Sequence, residues 1–344
     1  MNKNTFVLID GNAILHRAYH AMPRFEANGR LVNAIYGFIS ILFSAVERYQ
    51  PEYLAVAFDV KGPTFRDELF KEYKAKRIKP PQEFYDQIPD VWEFLKTAEI
   101  PLLTREGYEA DDIIGTLAKK INGDLGEGEV IIITGDQDTL QLVDNRTKVA
   151  MPAMGKVKET LYDRSAVQGK LGISPEQVID YKALSGDSSD NIPGVRGIGP
   201  RTATELIKEF GSVEGVYEYL TQKLNSPLTS FPSRKHSTST SGIQKKDPRS
   251  GLHPVEDDRS GGEKLKIKDR IAKLLLENKD AAFLSKQLAT IRTDVEFSFK
   301  LSEAKTHDFD EEKLQAFLEK YRFRSLIKRM PSSKRAKNSQ QQLF

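Results

Sequence analysis

Short apolar runs recur along the first half of the chain, each closed by turn-forming or charged residues: Phe6–Ile9, Leu54–Phe58, Ile100–Leu103 and Val130–Thr134. The run Val130-Ile131-Ile132-Ile133-Thr134 is β-branched throughout, as suits a strand buried on both faces. Stretches of helical period lie between the runs, at Val32–Tyr49, Phe84–Ala98 and Asp111–Ile121. Strand and helix in alternation predict an α/β domain with a parallel sheet over residues 1–170.

The pattern changes at Ser174-Pro175-Glu176-Gln177, which reads as an N-cap, a Pro at the first helical position and a Gln at the third. Helical periods run on to about Tyr219 with glycine-rich turns between them. Residues 223–265 are rich in Ser, Thr, Gly and Pro and keep no apolar period, so a disordered insertion is expected there. Helical periods return at Lys266–Leu276, Lys279–Leu288 and Phe309–Lys328, so that 171–222 and 266–328 predict an all-helical region. Residues 329–344 form a basic, then glutamine-rich, tail. The most apolar long stretch, Ala34–Val46, is interrupted by Tyr36, Gly37, Ser40 and Ser44 and falls short of the about 20 residues of a membrane span. The apolar start Phe6–Ile9 is too short for a signal peptide. A cytoplasmic protein without a membrane partner is expected.

Composition sharpens this in two ways. The chain of 344 residues has no cysteine, which removes disulfides, thiolate metal sites and a cysteine nucleophile. Its 52 Lys+Arg against 49 Asp+Glu leave a net charge of +3, but the average hides segregation. Residues 61–79 carry Lys61, Arg66, Lys71, Lys74, Lys76, Arg77 and Lys79 against Asp67, Glu68 and Glu72, and residues 321–344 carry no acid at all. The remainder is acidic, and its acids fall where the predicted strands end.

Function in open parallel sheets gathers at the carboxyl ends of the strands. Asp10 follows the first apolar run and Asp59 the second. Glu109, Asp111 and Asp112 follow the third, and Asp136 and Asp138 the fourth. Each alone suits a turn or a helix cap. Converging on one rim, they cannot all stay ionised without cations. Oxygen donors without Cys or nearby His favour Mg²⁺ or Mn²⁺, and two such ions can clamp a phosphodiester and activate water. A further cluster, Ser185–Asn191, holds Asp187 and Asp190. The stretch Pro193–Ala203 that follows is neither a Walker loop nor a dinucleotide fingerprint. Its Gly194, Gly197, Ile198 and Gly199 predict a tight hairpin between helices, whose amides, with Arg196, Arg201 and Thr202, hold a phosphate without reading bases. In the basic stretch, Lys74 and Arg77 are expected on one helix face, holding a strand's phosphates, with Tyr73 stacked on a base.

These residues resemble a known family: the 5′–3′ exonuclease (5′ nuclease) domain at the N-terminus of bacterial DNA polymerase I, related to the flap endonucleases. The matching motifs are Leu8–Gly11, Phe58-Asp59 with Phe65-Arg66, Tyr73–Arg77, Tyr108–Asp112, Thr134–Asp138, Gly186–Val195 with Gly197–Gly199, and Leu288–Val295. They cover about residues 4–222 and 266–328. The resemblance implies a PIN-like α/β fold with a helical arch over about 61–98 and a helix-hairpin-helix module. It puts Asp10, Asp59, Glu109, Asp111, Asp112, Asp136, Asp138, Asp187 and Asp190 at metal-site positions. It puts Lys74 and Arg77 in the arch and Arg66 at its base near the reacting phosphate, and implies a K⁺ at the hairpin. The implied substrates are 5′ flaps, nicked duplexes and RNA primers, cut by a monomer in replication and repair to leave 5′-phosphate and 3′-hydroxyl ends. The closing Gln340-Gln341-Gln342-Leu343-Phe344 resembles the sliding-clamp-binding pentapeptide Q-x-x-L-F, with Gln340, Leu343 and Phe344 as its anchors. It favours a stand-alone nuclease over a fragment. A PIN-type ribonuclease and a non-catalytic, clamp-tethered binder of branched DNA are the rival readings.

Overall fold

The computed structural model describes residues 4–121, 125–152, 158–225, 267–306 and 309–331. The tail anchors Gln340, Leu343 and Phe344, and most of the 223–265 insertion, lie outside the described residues.

Strands β1 (Thr5–Asp10), a small ribbon of β2 (Glu26–Ala27) and β3 (Arg30–Leu31), β4 (Tyr53–Ala57), β5 (Leu102–Leu103), β6 (Glu129–Ile133), β7 (Thr147–Met151) and β8 (Thr160–Tyr162) follow one another along the chain. All but the ribbon join one sheet in the order β5-β4-β1-β6-β7-β8. Its strands are parallel except β8, which runs antiparallel to β7. β1 lies at the centre and is buried along its whole length. Its alternate side chains feed two cores, as the pleat requires. Val7 and Ile9 pack with Val56, Ile131 and Ile133 against α1 (Gly11–Ala21), α2 (Asn33–Tyr49) and, further along the chain, α5 (Ile88–Thr97). Phe6 and Leu8 pack with Val130, Ile132 and Val149 on the other face, against α6 (Ala110–Ile121).

The predicted helix Phe84–Ala98 is broken into α4 (Gln82–Tyr85) and α5. The region expected as a helical arch contains only one further short helix, α3 (Phe65–Leu69). Residues 71–77 are turns, with Lys74 at φ +53°. Lys74 and Arg77 therefore share no helix face. The backbone N–H of Lys74 donates to the Asp190 carbonyl at 2.9 Å, a distant partner that replaces a local helical bond.

After α7 (Arg164–Leu171), Ser174 and Gln177 close a capping box on the 3₁₀ turn Pro175–Gln177, which leads into α8 (Val178–Ser185). Helices α9 (Pro200–Phe210), α10 (Val213–Asn225), α11 (Asp269–Glu277) and α12 (Lys279–Ala289) complete a separate core containing Ile198, Leu206, Val216, Leu220 and Leu275. The expected grouping of 266–328 with this module is corrected beyond α12. Phe297, Phe299 and Ala304 cross back onto the sheet. α13 (Glu311–Lys320) and α14 (Arg324–Ile327) then pack Leu314, Phe317, Leu318 and Leu326 into the α2–α5 core. Among the described residues no helix is long and apolar enough to cross a membrane.

Candidate active site

Asp10 ends β1 and caps α1: its Oδ1 accepts from the Ala13 N–H at 2.9 Å and its Oδ2 from Thr134 Oγ at 2.7 Å. It is 4% exposed. Burial pushes its pKa up to about 7 despite those two hydrogen bonds, and the charges of Asp59 and Asp136 add to the rise. Asp59, beyond β4, accepts from the Ala110 N–H at 2.7 Å and so caps α6. In the first turn of α6, Asp111 keeps its Oδ1 buried without a hydrogen-bond partner. Burial, then the charges of Asp10, Asp136 and Glu109, hold the Asp111 carboxyl well above its ordinary range.

Asp136 and Asp138 occupy the turn after β6, where the Asp138 N–H donates to Asp136 Oδ1 at 2.9 Å. Burial and the Asp136 charge push Asp138 up to about 7, although Lys182 of α8 is ion-paired with it. The same ammonium reaches Asp187 at 2.7 Å. Burial opposes the charge on Asp187, but Lys182 and the hydrogen bonds from Ser189 outweigh it and bring Asp187 down to about 2. Lys182 was not singled out by the sequence. The available signal was its place one turn before the Ser185–Asn191 acidic turn.

Asp10, Asp59, Glu109, Asp111, Asp136, Asp138 and Asp187 all line one cleft of about 1340 Å³. The strands bring them together because their carboxyl ends share a rim. Lys74 and Arg77 line it too. Lys74 Nζ lies 2.7 Å from Glu109, and Arg77 forks Asp190 at 2.5 and 3.0 Å.

Four of the expected site residues make other contacts in the structure. Asp112 does not line the cleft: it is 0% exposed and forms a two-toothed pair with Arg66 at 2.7 and 2.8 Å. Arg66 is held by that pair and by the carbonyls of Leu288 and Thr290, each at 2.9 Å, and reaches the cleft only through Glu109, 3.5 Å away. Tyr73 is 6% exposed, with its hydroxyl 3.3 Å from both Glu109 and Asp190, and offers no ring face for a base. Asp190 faces Arg77 and Tyr73 rather than the cleft. Accordingly, no three His, Asp or Glu side chains among the described residues stand as a ready-made metal shell. Glu109, Asp138, Asp187 and Asp190 are held by the protein's own cations instead. Asp10, Asp111 and Asp136 make no such ion pair among the described residues. Their all-oxygen donor set, their mutual repulsion and the orphaned Asp111 Oδ1 fit a hard divalent cation.

The glycine hairpin stands between α8 and α9. Gly194 and Gly197 take φ of +62° and +90°, a turn that a side chain would strain. Gly199 N-caps α9, and Arg196 and Arg201 are exposed. Thr202 is half-buried. Ile198 is only 4% exposed and belongs to the module core, and its N–H donates to the Val195 carbonyl at 2.9 Å, so it stiffens the hairpin rather than facing a phosphate.

An open, mostly parallel sheet carrying a rim of carboxylates, joined to a helical module with a glycine hairpin, defines a nuclease-like α/β architecture. Residues 5–172 match the model of the 5′–3′ exonuclease N-terminal resolvase-like domain, and residues 173–239 match the 5′–3′ exonuclease C-terminal SAM fold. The chain belongs to the 5′–3′ exonuclease family and is by class a 5′ nuclease, a hydrolase. It is 38% identical to DNA polymerase I of Caldicellulosiruptor bescii over 94% of this chain and 33% of the polymerase. It is 37% identical to DNA polymerase I of Bacillus subtilis over 95% of this chain and 32% of the polymerase. The chain thus spans about a third of the length of these relatives. Among solved structures, the 5′-exonuclease of T5 with bound zinc shares the fold at a TM-score of 0.61 and 21% identity, covering 92% of this chain and 97% of that one. The catalytic core of Rad2 with DNA substrate matches at 0.52 and 16% identity, covering 93% and 88%.

Proposed function

We propose that this chain is a divalent-cation-dependent, structure-specific 5′ nuclease that hydrolyses phosphodiesters at 5′ flaps, nicks and RNA-primed ends. The single observation that carries the proposal is the buried, unpartnered Asp111 oxygen beside Asp10 and Asp136 at the strand ends of the cleft. Asp10, Asp111 and Asp136 would hold the metal, with Asp59, Glu109, Asp138 and Asp187 around them in contact or through water. Two Mg²⁺ or Mn²⁺ ions held there would lower the pKa of water and neutralise charge building on the phosphate.

The chain's own groups do the rest. Lys74 and Arg77 exchange carboxylate partners for the phosphates of an entering strand, which keeps both cations satisfied. Lys182 holds Asp138 and Asp187 in place across the cleft. The amides of the exposed Gly197 and Gly199, with Arg196 and Arg201, grip duplex backbone and set register without reading sequence, and a K⁺ is expected at this turn. For partners, the Q-x-x-L-F ending supports docking on a sliding clamp. Deletion of Gln340–Phe344 is expected to abolish clamp binding by surface plasmon resonance, and full retention would refute that part.

The direct assay incubates 5′-flap DNA and single-stranded RNA with Mg²⁺, with and without EDTA. The flap is expected to be cut only in the absence of EDTA. Cutting of the RNA alone would favour a PIN-type ribonuclease, and flap binding without cutting would favour a non-catalytic adaptor.

A further inference from the structure

The motif Leu288–Val295 has no part in the chemistry above, yet it is tied to both halves of the molecule. At one end, the Gly194 N–H of the hairpin donates to Ser285 Oγ at 2.9 Å, inside α12. Ser285 is 0% exposed, and its own hydroxyl donates to the Ala281 carbonyl at 2.6 Å. Its neighbour Lys286 bridges Asp180 of α8 and Glu214 of α10, both at 2.6 Å, and fixes the helix in the module.

At the other end, the chain leaves α12 as a strap across the nuclease lobe. Arg66 takes the carbonyls of Leu288 and Thr290, and the Arg292 N–H donates to Asp112 at 2.8 Å. The strap passes so near α6 at Gly115 that a Cβ there would lie 2.8 Å from Ile291 Cγ2 and 3.1 Å from the Arg292 carbonyl. Gln141 completes the anchorage. Its Nε2 donates to the carbonyls of Ala289 and Asp138, and its Oε1 accepts from the Ile291 N–H, all at 2.9 Å. One amide therefore joins the end of α12 to the turn that carries Asp136 and Asp138. The position needs a donor and an acceptor on one side chain of this reach. Glu lacks the donors and Met lacks both.

We infer that α12 and its strap form a rigid spacer between the duplex-gripping hairpin and the acidic turn, with Gln141 as the positioning residue that fixes which phosphodiester is cut. This rests on the 5′ nuclease reading. Successive phosphates along a strand of B-DNA are separated by about 3.4 Å of rise, so a spacer that loosens by a fraction of that admits neighbouring bonds to the cleft. Positioning errors of about 1 Å away from the chemistry cost on the order of 100-fold in rate.

The test compares wild type, Gln141→Met, Gln141→Glu and Ser285→Ala on an end-labelled 5′-flap duplex with Mg²⁺, reading products at single-nucleotide resolution and folding by thermal unfolding. Wild type gives one dominant cut. Gln141→Met spreads the cuts over adjacent bonds, with kcat lowered about 10- to 100-fold and KM within about twofold. Gln141→Glu, which keeps the acceptor for Ile291, falls between the two. Ser285→Ala, at the far end of the spacer, broadens the cuts as well, and carries the test should Gln141→Met fail to fold. An unchanged cut distribution in the folded variants, whatever their rates, overturns the spacer. A wild type that leaves the flap intact overturns instead the nuclease reading beneath it.

Discussion

Arg66 and Arg77 look alike in sequence, two arginines in one basic stretch, but burial gives them opposite jobs. Arg66 and Asp112 form a pair with side chains 3% and 0% exposed, so removing one partner leaves a buried charge uncompensated. Arg66→Met is expected to cost about 3–5 kcal/mol of stability by urea unfolding. Arg77 is half-exposed beside Asp190. Because Asp190 is only 7% exposed, Arg77→Ala is expected to cost about 1–3 kcal/mol, less than Arg66→Met, while lowering flap cleavage. A second residue-scale consequence concerns pH. Asp10 and Asp138 titrate near 7 in the fold, above the usual carboxylate range. Their protonated forms favour folding, so this stability is complete below the unfolded carboxylate pKa and is lost as pH rises through the folded value. In EDTA, the melting temperature is expected to fall between about pH 4 and about pH 7, and Asp10→Asn should flatten the fall. A profile as steep in the variant as in the wild type would contradict this origin.

At the scale of elements, the central strands and the acids closing them were legible because a buried parallel strand is written in consecutive apolar residues. Asp10, Asp59, Asp136 and Asp138 needed only that rule to be placed on one rim. β7 and β8 were not legible: Thr147–Met151 and Thr160–Tyr162 are short and mixed in polarity, and β8 forms the edge of the sheet. The segment holding Lys74 departs from its sequence pattern for a different reason. Its helical charge spacing is genuine, but the Asp190 carbonyl, distant in sequence, draws Lys74 into the left-handed region. The split roles of Asp111 and Asp112 were likewise hidden, since only the fold reveals that Asp112 faces Arg66 and the strap. The strap itself gives a sharp element-scale prediction. Gly115→Ala, by forcing Ile291 and Arg292 off α6, should destabilise the protein by about 1–3 kcal/mol in the same urea titration.

Across the whole molecule, a single arrangement reconciles the opposed charges that average to +3. Carboxylates converge in a cleft, and Lys74 and Lys182 neutralise its outer members Glu109, Asp138 and Asp187 from two separate segments. The innermost acids, Asp10, Asp111 and Asp136, are left to repel one another. The return of α13 and α14 to the α2–α5 core also ties the end of the described chain to the lobe that bears the cleft. The fold thus concentrates uncompensated negative charge at one place, beside cations able to trade partners for phosphate. The central claim is that this charge exists to bind the divalent cation that drives hydrolysis. It is tested most directly by the single-turnover rate of 5′-flap cleavage in saturating Mg²⁺ for Asp111→Asn against wild type. Loss of a metal-holding carboxylate at the cost of several kcal/mol predicts a fall of about 100-fold or more. A folded Asp111→Asn protein that cleaves at the wild-type rate would contradict the account.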